Sequence, residues 1–188
     1  MTTNTLTGTT GNDILNAPGS VSTEVQGLQG NDTITLNLTT DVARAGKGDD
    51  TISAAIAGSA DFTVYGGLGA DTVTLGTAAT VGIGDIYGGG GNDSIDLRGN
   101  SATTTISNAT IAGNAGNDTI QASNSLTLTA IQAGQGDDVL TLRGGGTSST
   151  AVGGKGKDNI VAVGAFVTSS LMGGRGFDTI SASAITNT

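Results

Sequence analysis

The chain has 188 residues, of which 33 are glycine and one is proline, with three Phe, two Tyr and no Trp; 16 acidic side chains against 7 basic ones give a formal charge of −9. With neither Cys nor His, disulfides, zinc sites built from those ligands, thiol nucleophiles and histidine acid–base chemistry are all excluded. Glycine at this level without an every-third-residue period means recurrent turns with unusual backbone angles, the scarcity of aromatics means a thin core, and the acidic balance disfavours nucleic acid and favours cations.

Taken along the chain, one element recurs. A turn with glycine two residues before an aspartate appears first at Gly11 and Asp13, then at Asp32, Asp50, Asp71, Asp93, Asp118, Asp138, Asp158 and Asp178. The steps between successive aspartates are 19, 18, 21, 22, 25, 20, 20 and 20 residues, and all nine copies keep the glycine at minus two. Two residues after each aspartate stands an aliphatic side chain, from Leu15, Ile34 and Ile52 through to Leu140, Ile160 and Ile180, with hydroxylated residues such as Thr33, Thr35, Thr51 and Thr72 alternating beside them. That is the period-two pattern of a strand with one buried face. Seven residues before each aspartate the series Leu6, Val25, Ala43, Val64, Ile86, Ile111, Ile131, Ala151 and Leu171 marks a second strand.

Each repeat is therefore strand, glycine turn, strand and a looser second turn that absorbs the variation in length, as between Leu97 and Ile111. No repeat can bury its aliphatic face alone; stacking at ~4.8 Å builds a ladder core one or two side chains thick and a rod ~40 Å long. The expectation is an all-β fold: a parallel β-solenoid of about nine coils forming a single unit over residues 1–188.

Stacking places the nine aspartates in one file, where neighbouring charges ~4.8 Å apart repel by roughly 0.9 kcal/mol each even in water. A divalent cation between neighbours reverses the sign of that interaction. Carboxylate and backbone carbonyl oxygens are hard donors, which points to calcium. The residues just before the aspartates are often Asn or Asp (Asn12, Asn31, Asp49, Asn92, Asn117, Asp137) and read as turn formers rather than ligands.

The segments Gly88-Gly89-Gly90-Gly91-Asn92-Asp93-Ser94-Ile95 and Gly173-Gly174-Arg175-Gly176-Phe177-Asp178-Thr179-Ile180 resemble the glycine-rich nonapeptide of RTX (hemolysin-type calcium-binding) proteins. The resemblance implies an RTX-like β-roll that folds on calcium (Ca2+) outside the cell, with Asp13, Asp32, Asp50, Asp71, Asp93, Asp118, Asp138, Asp158 and Asp178 as metal ligands. This chain departs from the usual roll in carrying one motif per coil, so one calcium row is expected. Ala45 and Ala133 replace glycine at minus five, Thr9 and Asn114 at minus four, and Lys157 and Phe177 depart at minus one, changes that weaken the sites they border.

Repetitive carboxylates and a lone glutamate, Glu24, give no catalytic pair, so the reading is a structural calcium-binding protein and not an enzyme. No apolar run approaches the ~18 residues of a membrane span, and the N-terminus lacks the basic and apolar regions of a cleaved signal peptide. Export without a cleaved signal to the cell surface or exterior is expected. Exposed strand edges at both ends suggest head-to-tail self-association into a filament or surface layer. Alternatives are a calcium-dependent adhesin, a module binding a cell-surface glycan or ice, and a virion surface protein. Ice binding would call for regular Thr and Asn files on the turn, whereas Thr10-Gly11-Asn12 is the one copy with both.

Overall fold

A computed structural model describes residues 4–54, 61–75, 81–82, 84–98, 105–122 and 125–186. The chain winds as a parallel β-solenoid without helix among these residues, so no helix here is long and apolar enough to cross a membrane. One sheet has nine strands, one per coil, from Asn4–Thr7 and Thr23–Gln29 to Thr150–Lys155 and Ser170–Arg175. Every neighbouring pair in it is parallel and in register: Leu6 faces Val25, Val25 faces Ala43, and the file continues to Ala151 and Leu171. The nine strands after the aspartates belong to the second sheet, of thirteen strands, in which Leu15, Ile34, Ile52, Val73, Ile95, Ile120, Leu140, Ile160 and Ile180 follow one another rung by rung.

The two predicted files thus face each other across a narrow core. Val25, Ala43, Val64, Ile86, Ile111 and Ile131 are fully buried on one side, and Ile34, Ile52, Val73, Ile95, Ile120, Leu140 and Ile160 on the other. Because each layer is one side chain deep, neighbouring rungs cannot close over a missing group. Ile120→Ala is expected to cost about 2–4 kcal/mol, whereas its outward neighbour Thr119→Ala stays near 0.5 kcal/mol; urea unfolding in calcium measures both.

The second turn is more than a loose connection. In the later coils it contains a third strand: Val81–Gly82, Thr105–Ser107, Ser125–Thr127 and Gly146–Thr147 pair in sequence and end on the distal half of Asn159–Val167, which in turn pairs with Thr179–Thr186. Ile106, Leu126 and Phe166 bury their side chains along this wall. Gly146 faces Phe166, and a Cβ there would strike the Phe166 ring, so the smallest residue of the row makes room for the largest. The turn into the next coil is made by Asn108, Leu128, Ser148 and Thr168, all with φ between 49° and 54°. Residues 99–104, within the long insertion between Leu97 and Ile111, lie outside the described residues.

A second polar corner closes the solenoid opposite the glycine turns. The hydroxyl groups of Thr129, Ser149 and Ser169 donate to carbonyls of the preceding wall, while the N–H groups of Thr129 and Ser149 donate to the Oγ of Ser149 and Ser169 one coil on, at 3.2 and 3.1 Å. In an early coil Asp41 does the same work: its carboxylate is wholly buried and accepts from the N–H groups of Thr23, Asn37 and Leu38 at 2.8–3.1 Å. Asp41 is therefore a structural cap, its charge met by three donors.

Candidate metal centre

The nine aspartates do form a file, and the main chain builds it. The N–H of each aspartate donates to the Oδ1 of the aspartate one coil further on, an unbroken ladder of eight bonds from Asp13 to Asp178 at 2.7–3.0 Å. The carbonyl of each aspartate accepts from the residue after the next one, as in Thr33 to Asp13 and Ser94 to Asp71, both at 2.8 Å. Backbone and carboxylate together thus lock each coil to its successor.

One oxygen per aspartate is left over. Asp32, Asp50, Asp71, Asp93, Asp118, Asp138 and Asp158 are 1–2% exposed, and in all seven Oδ2 is buried with no hydrogen-bond partner. An unpaired carboxylate oxygen in a dry site is costly, and a row of them calls for a cation wherever the site leaves room for one. Burial is the main cause of a general upward shift in their pKa: Asp50, Asp93, Asp118 and Asp138 are pushed up to about 6 and Asp71 to about 7, with Asp32 and Asp158 also raised. The N–H ladder opposes the shift, and repulsion between neighbouring carboxylates adds a smaller contribution. Desolvation, more than the mutual repulsion weighed from the sequence, is what makes the metal-free file unfavourable.

Glycine at minus five explains itself here. A Cβ on Gly27 would come within 3.0 Å of both Asp32 Oδ2 and the Ala45 carbonyl oxygen of the next coil. Gly66 stands in the same relation to Asp71 and Gly88, Gly88 to Asp93 and Gly113, and Gly113 to Asp118 and Ala133. Two oxygens from adjacent coils converge on a space that only a missing side chain leaves open. These donors are hard, anionic or carbonyl, and dry, which fits calcium. Among the described residues no three carboxylates converge on one point; the arrangement couples one carboxylate oxygen with main-chain oxygen, coil by coil.

The residues before the aspartates have a role that turn propensity alone did not reveal. Asn12, Asn31 and Asp49 accept at Oδ1 from the N–H of Asn31, Asp49 and Ala70 at 2.8–3.0 Å, and Asn92, Asn117 and Asp137 accept from Asn117, Asp137 and Lys157 at 2.7–2.8 Å. They form an exposed second ladder that runs opposite in sense to the first. Lys157 and Phe177 close its C-terminal stretch by offering no such acceptor.

The two ends of the aspartate file differ from its middle. At the first coil Thr9 replaces the usual glycine, and its N–H and hydroxyl both donate to Asp13 Oδ2, at 2.6 and 2.9 Å. That oxygen is satisfied without an ion. Asp178, in the last coil, is half-buried beside Gly173. Leu28 is a further departure at minus four: it takes φ +82°, and Asn114 takes +81°, in a row where Gly46, Gly67 and Gly89 otherwise supply the left-handed conformation. Asn tolerates that conformation, whereas Leu there costs on the order of 1–2 kcal/mol.

On the outer face of the nine-stranded sheet, Arg44 pairs with Glu24 at 2.9 Å and lies 4.4 Å over the Tyr65 ring, which stacks on Tyr87 at 5.2 Å and 9°. These rungs tie the second to fifth coils together from outside.

A family model for the RTX calcium-binding nonapeptide repeat matches the chain in four copies, over residues 2–17, 24–52, 63–78 and 103–125. No curated protein and no solved structure matches it.

Proposed function

We propose that this chain, four stretches of which match the RTX calcium-binding nonapeptide repeat, is a non-catalytic, calcium-loaded rod of an extracellular surface assembly, extended by head-to-tail contact between copies. Asp13, Asp32, Asp50, Asp71, Asp93, Asp118, Asp138, Asp158 and Asp178 line the calcium row in this reading. The observation that carries it is the file of seven buried Oδ2 atoms without a partner. Bound calcium would supply the positive charge that this file lacks. The chain's own contribution is to hold each carboxylate by its Oδ1, present the second oxygen, and keep water away from it.

Secretion suits this chemistry, since RTX repeats are typical of secreted proteins. Extracellular calcium modules work at dissociation constants of roughly 10⁻⁴–10⁻³ M, so the rod would assemble where calcium is abundant.

Two features support end-to-end contact. The aspartate ladder terminates with Oδ1 of Asp13, an acceptor, at one end and the N–H of Asp178, a donor, at the other. Among the described residues the last coil also presents apolar groups: Phe177, in the turn, is 88% exposed, and Ile180 at 42% and Ile185 at 47% lie in a strand paired on one side. Complementary, unlike ends make a heterologous contact that propagates as an open filament.

Light scattering in millimolar calcium tests this. The wild type grows into particles many times the monomer mass, while Ile180→Lys, which places a charge on the exposed end, stays monomeric with an unchanged β spectrum. A wild type that remains monomeric at high concentration removes the filament from the proposal and leaves the calcium rod.

A further inference from the structure

Building on the calcium row proposed above, the geometry points to an interrupted row: five interior ions, at Asp32, Asp71, Asp93, Asp118 and Asp158, with Asp50 and Asp138 left metal-free by the methyl groups of Ala45 and Ala133. The residue five before the aspartate decides it. At Gly27, Gly66, Gly88, Gly113 and Gly153 the place of a Cβ lies within 3.0 Å of the orphaned Oδ2, and at the first four it also approaches the carbonyl oxygen of the coil that follows. A cation needs that space, because it is where the oxygens converge.

In the third and seventh coils the same place is filled. Ala45 and Ala133 are wholly buried and belong to the hydrophobic core, so five residues before Asp50 and Asp138 these coils carry a methyl group where the others leave an opening. Their carbonyls still serve the preceding coils, since the Ala45 oxygen lines the Asp32 space and the Ala133 oxygen the Asp118 space. Each alanine therefore completes the site behind it and closes its own. Asp50 and Asp138 keep their other role, accepting the N–H of Asp32 and Asp118 through Oδ1 at 2.7 Å. The end coils are set apart on other grounds: Gly8 leaves the same opening, 2.7 Å from Asp13 Oδ2 and 2.8 Å from the Gly27 carbonyl oxygen, but that Oδ2 already accepts from Thr9, and beyond Asp178 the described chain offers no following coil.

The row is thus divided into one site, a block of three contiguous sites from Asp71 to Asp118, and one site. Five divalent ions set against a formal charge of −9 leave the loaded chain at +1, close to neutral. Seven would leave it at +5, with the excess concentrated along one edge.

Counting bound calcium on the full chain, by equilibrium dialysis at saturating millimolar calcium and by native mass spectrometry, tests the assignment. The wild type holds five ions, Ala133→Gly holds six, the double variant Ala45→Gly/Ala133→Gly holds seven, and Gly88→Ala holds four. Gly88→Ala alone would be ambiguous if it misfolded, and the glycine variants cover that case because they install the residue the other coils already carry. Seven ions in the wild type, or a count that Ala45→Gly and Ala133→Gly leave unchanged, overturns the interruption while leaving the calcium rod intact. No bound calcium in any variant overturns the rod itself.

Discussion

Calcium removal at neutral pH is expected to unfold this protein, and acidifying the calcium-free sample to restore its β structure. Asp50, Asp93, Asp118 and Asp138 sit at about 6 in the folded chain and Asp71 at about 7, against an ordinary value of 3.8. Folded-state values raised above the unfolded ones mean that the folded chain holds its protons more tightly. The corresponding stability is fully present below pH ~4 and is lost as pH rises through 6 to 7. At about 1.36 kcal/mol per unit, the five groups together withdraw on the order of 10 kcal/mol by pH 8, comparable with the whole stability of an ordinary domain. In chelator, far-ultraviolet circular dichroism should therefore change from disordered at pH 8 to β-rich at pH 5, with the melting temperature rising as pH falls. With calcium present the order is reversed, since protons and calcium compete for the same oxygens, and the calcium midpoint moves to higher concentration at pH 5. A calcium-free melting temperature that is level or rises from pH 5 to pH 8 would defeat this account.

Asp93→Asn separates the two demands placed on one side chain. Its Oδ1 still accepts from the Asp71 N–H, the bond that spans the coils at 2.8 Å, and its amide now turns a donor toward the space lined by the Gly113 carbonyl. In chelator at pH 7.5 the variant is expected to be more stable than wild type by up to about 3 kcal/mol, the linkage cost of a group shifted from 3.8 to about 6. In saturating calcium it is less stable and holds one ion fewer. Asp93→Ala deletes the acceptor as well as the charge and loses stability in calcium without the gain in chelator. Urea titrations of the three proteins in both buffers make the comparison, and an Asn variant that is weaker than wild type in chelator would mean that the buried charge is not the destabilising element.

Much of this was legible before any coordinates. A period of two with aliphatics at plus two and minus seven is enough to place Ile34, Ile52, Val64 and Ile111 in the core, because a strand with one buried face admits few other readings. The third wall was not read, since counting forward from each aspartate its residues fall at varying distances as coils run from 18 to 25 residues. Counted backward from the next aspartate they align: Val81, Ile106, Leu126, Gly146 and Phe166 all stand twelve residues before it. The variable residues lie upstream of that wall, and the column was there to be found. The N–H to Oδ1 ladder was beyond reach, because a pattern of residue types does not say which oxygen of Asp71 a backbone one coil away will take. The role of Asn31 and Asp49 was hidden for the same reason: the turn propensity was real, and the bond to the next coil depends on register. Leu28, by contrast, was legible, since it stands four residues before Asp32 where the next coils carry Gly46, Gly67 and Gly89, and its φ of +82° shows that the turn keeps the glycine conformation there.

The stacked phenols of Tyr65 and Tyr87 make the fourth and fifth coils visible by their light absorption. The sequence has no tryptophan and no other tyrosine, and the two rings lie 5.2 Å apart and nearly parallel, close enough for their electronic transitions to couple. The near-ultraviolet signal of the entire chain thus has a single dominant source, set by whether these two neighbouring coils remain one rung apart. Monitored beside the far-ultraviolet spectrum during a calcium titration, it distinguishes the moment the middle of the rod locks from the moment the rest of the chain follows.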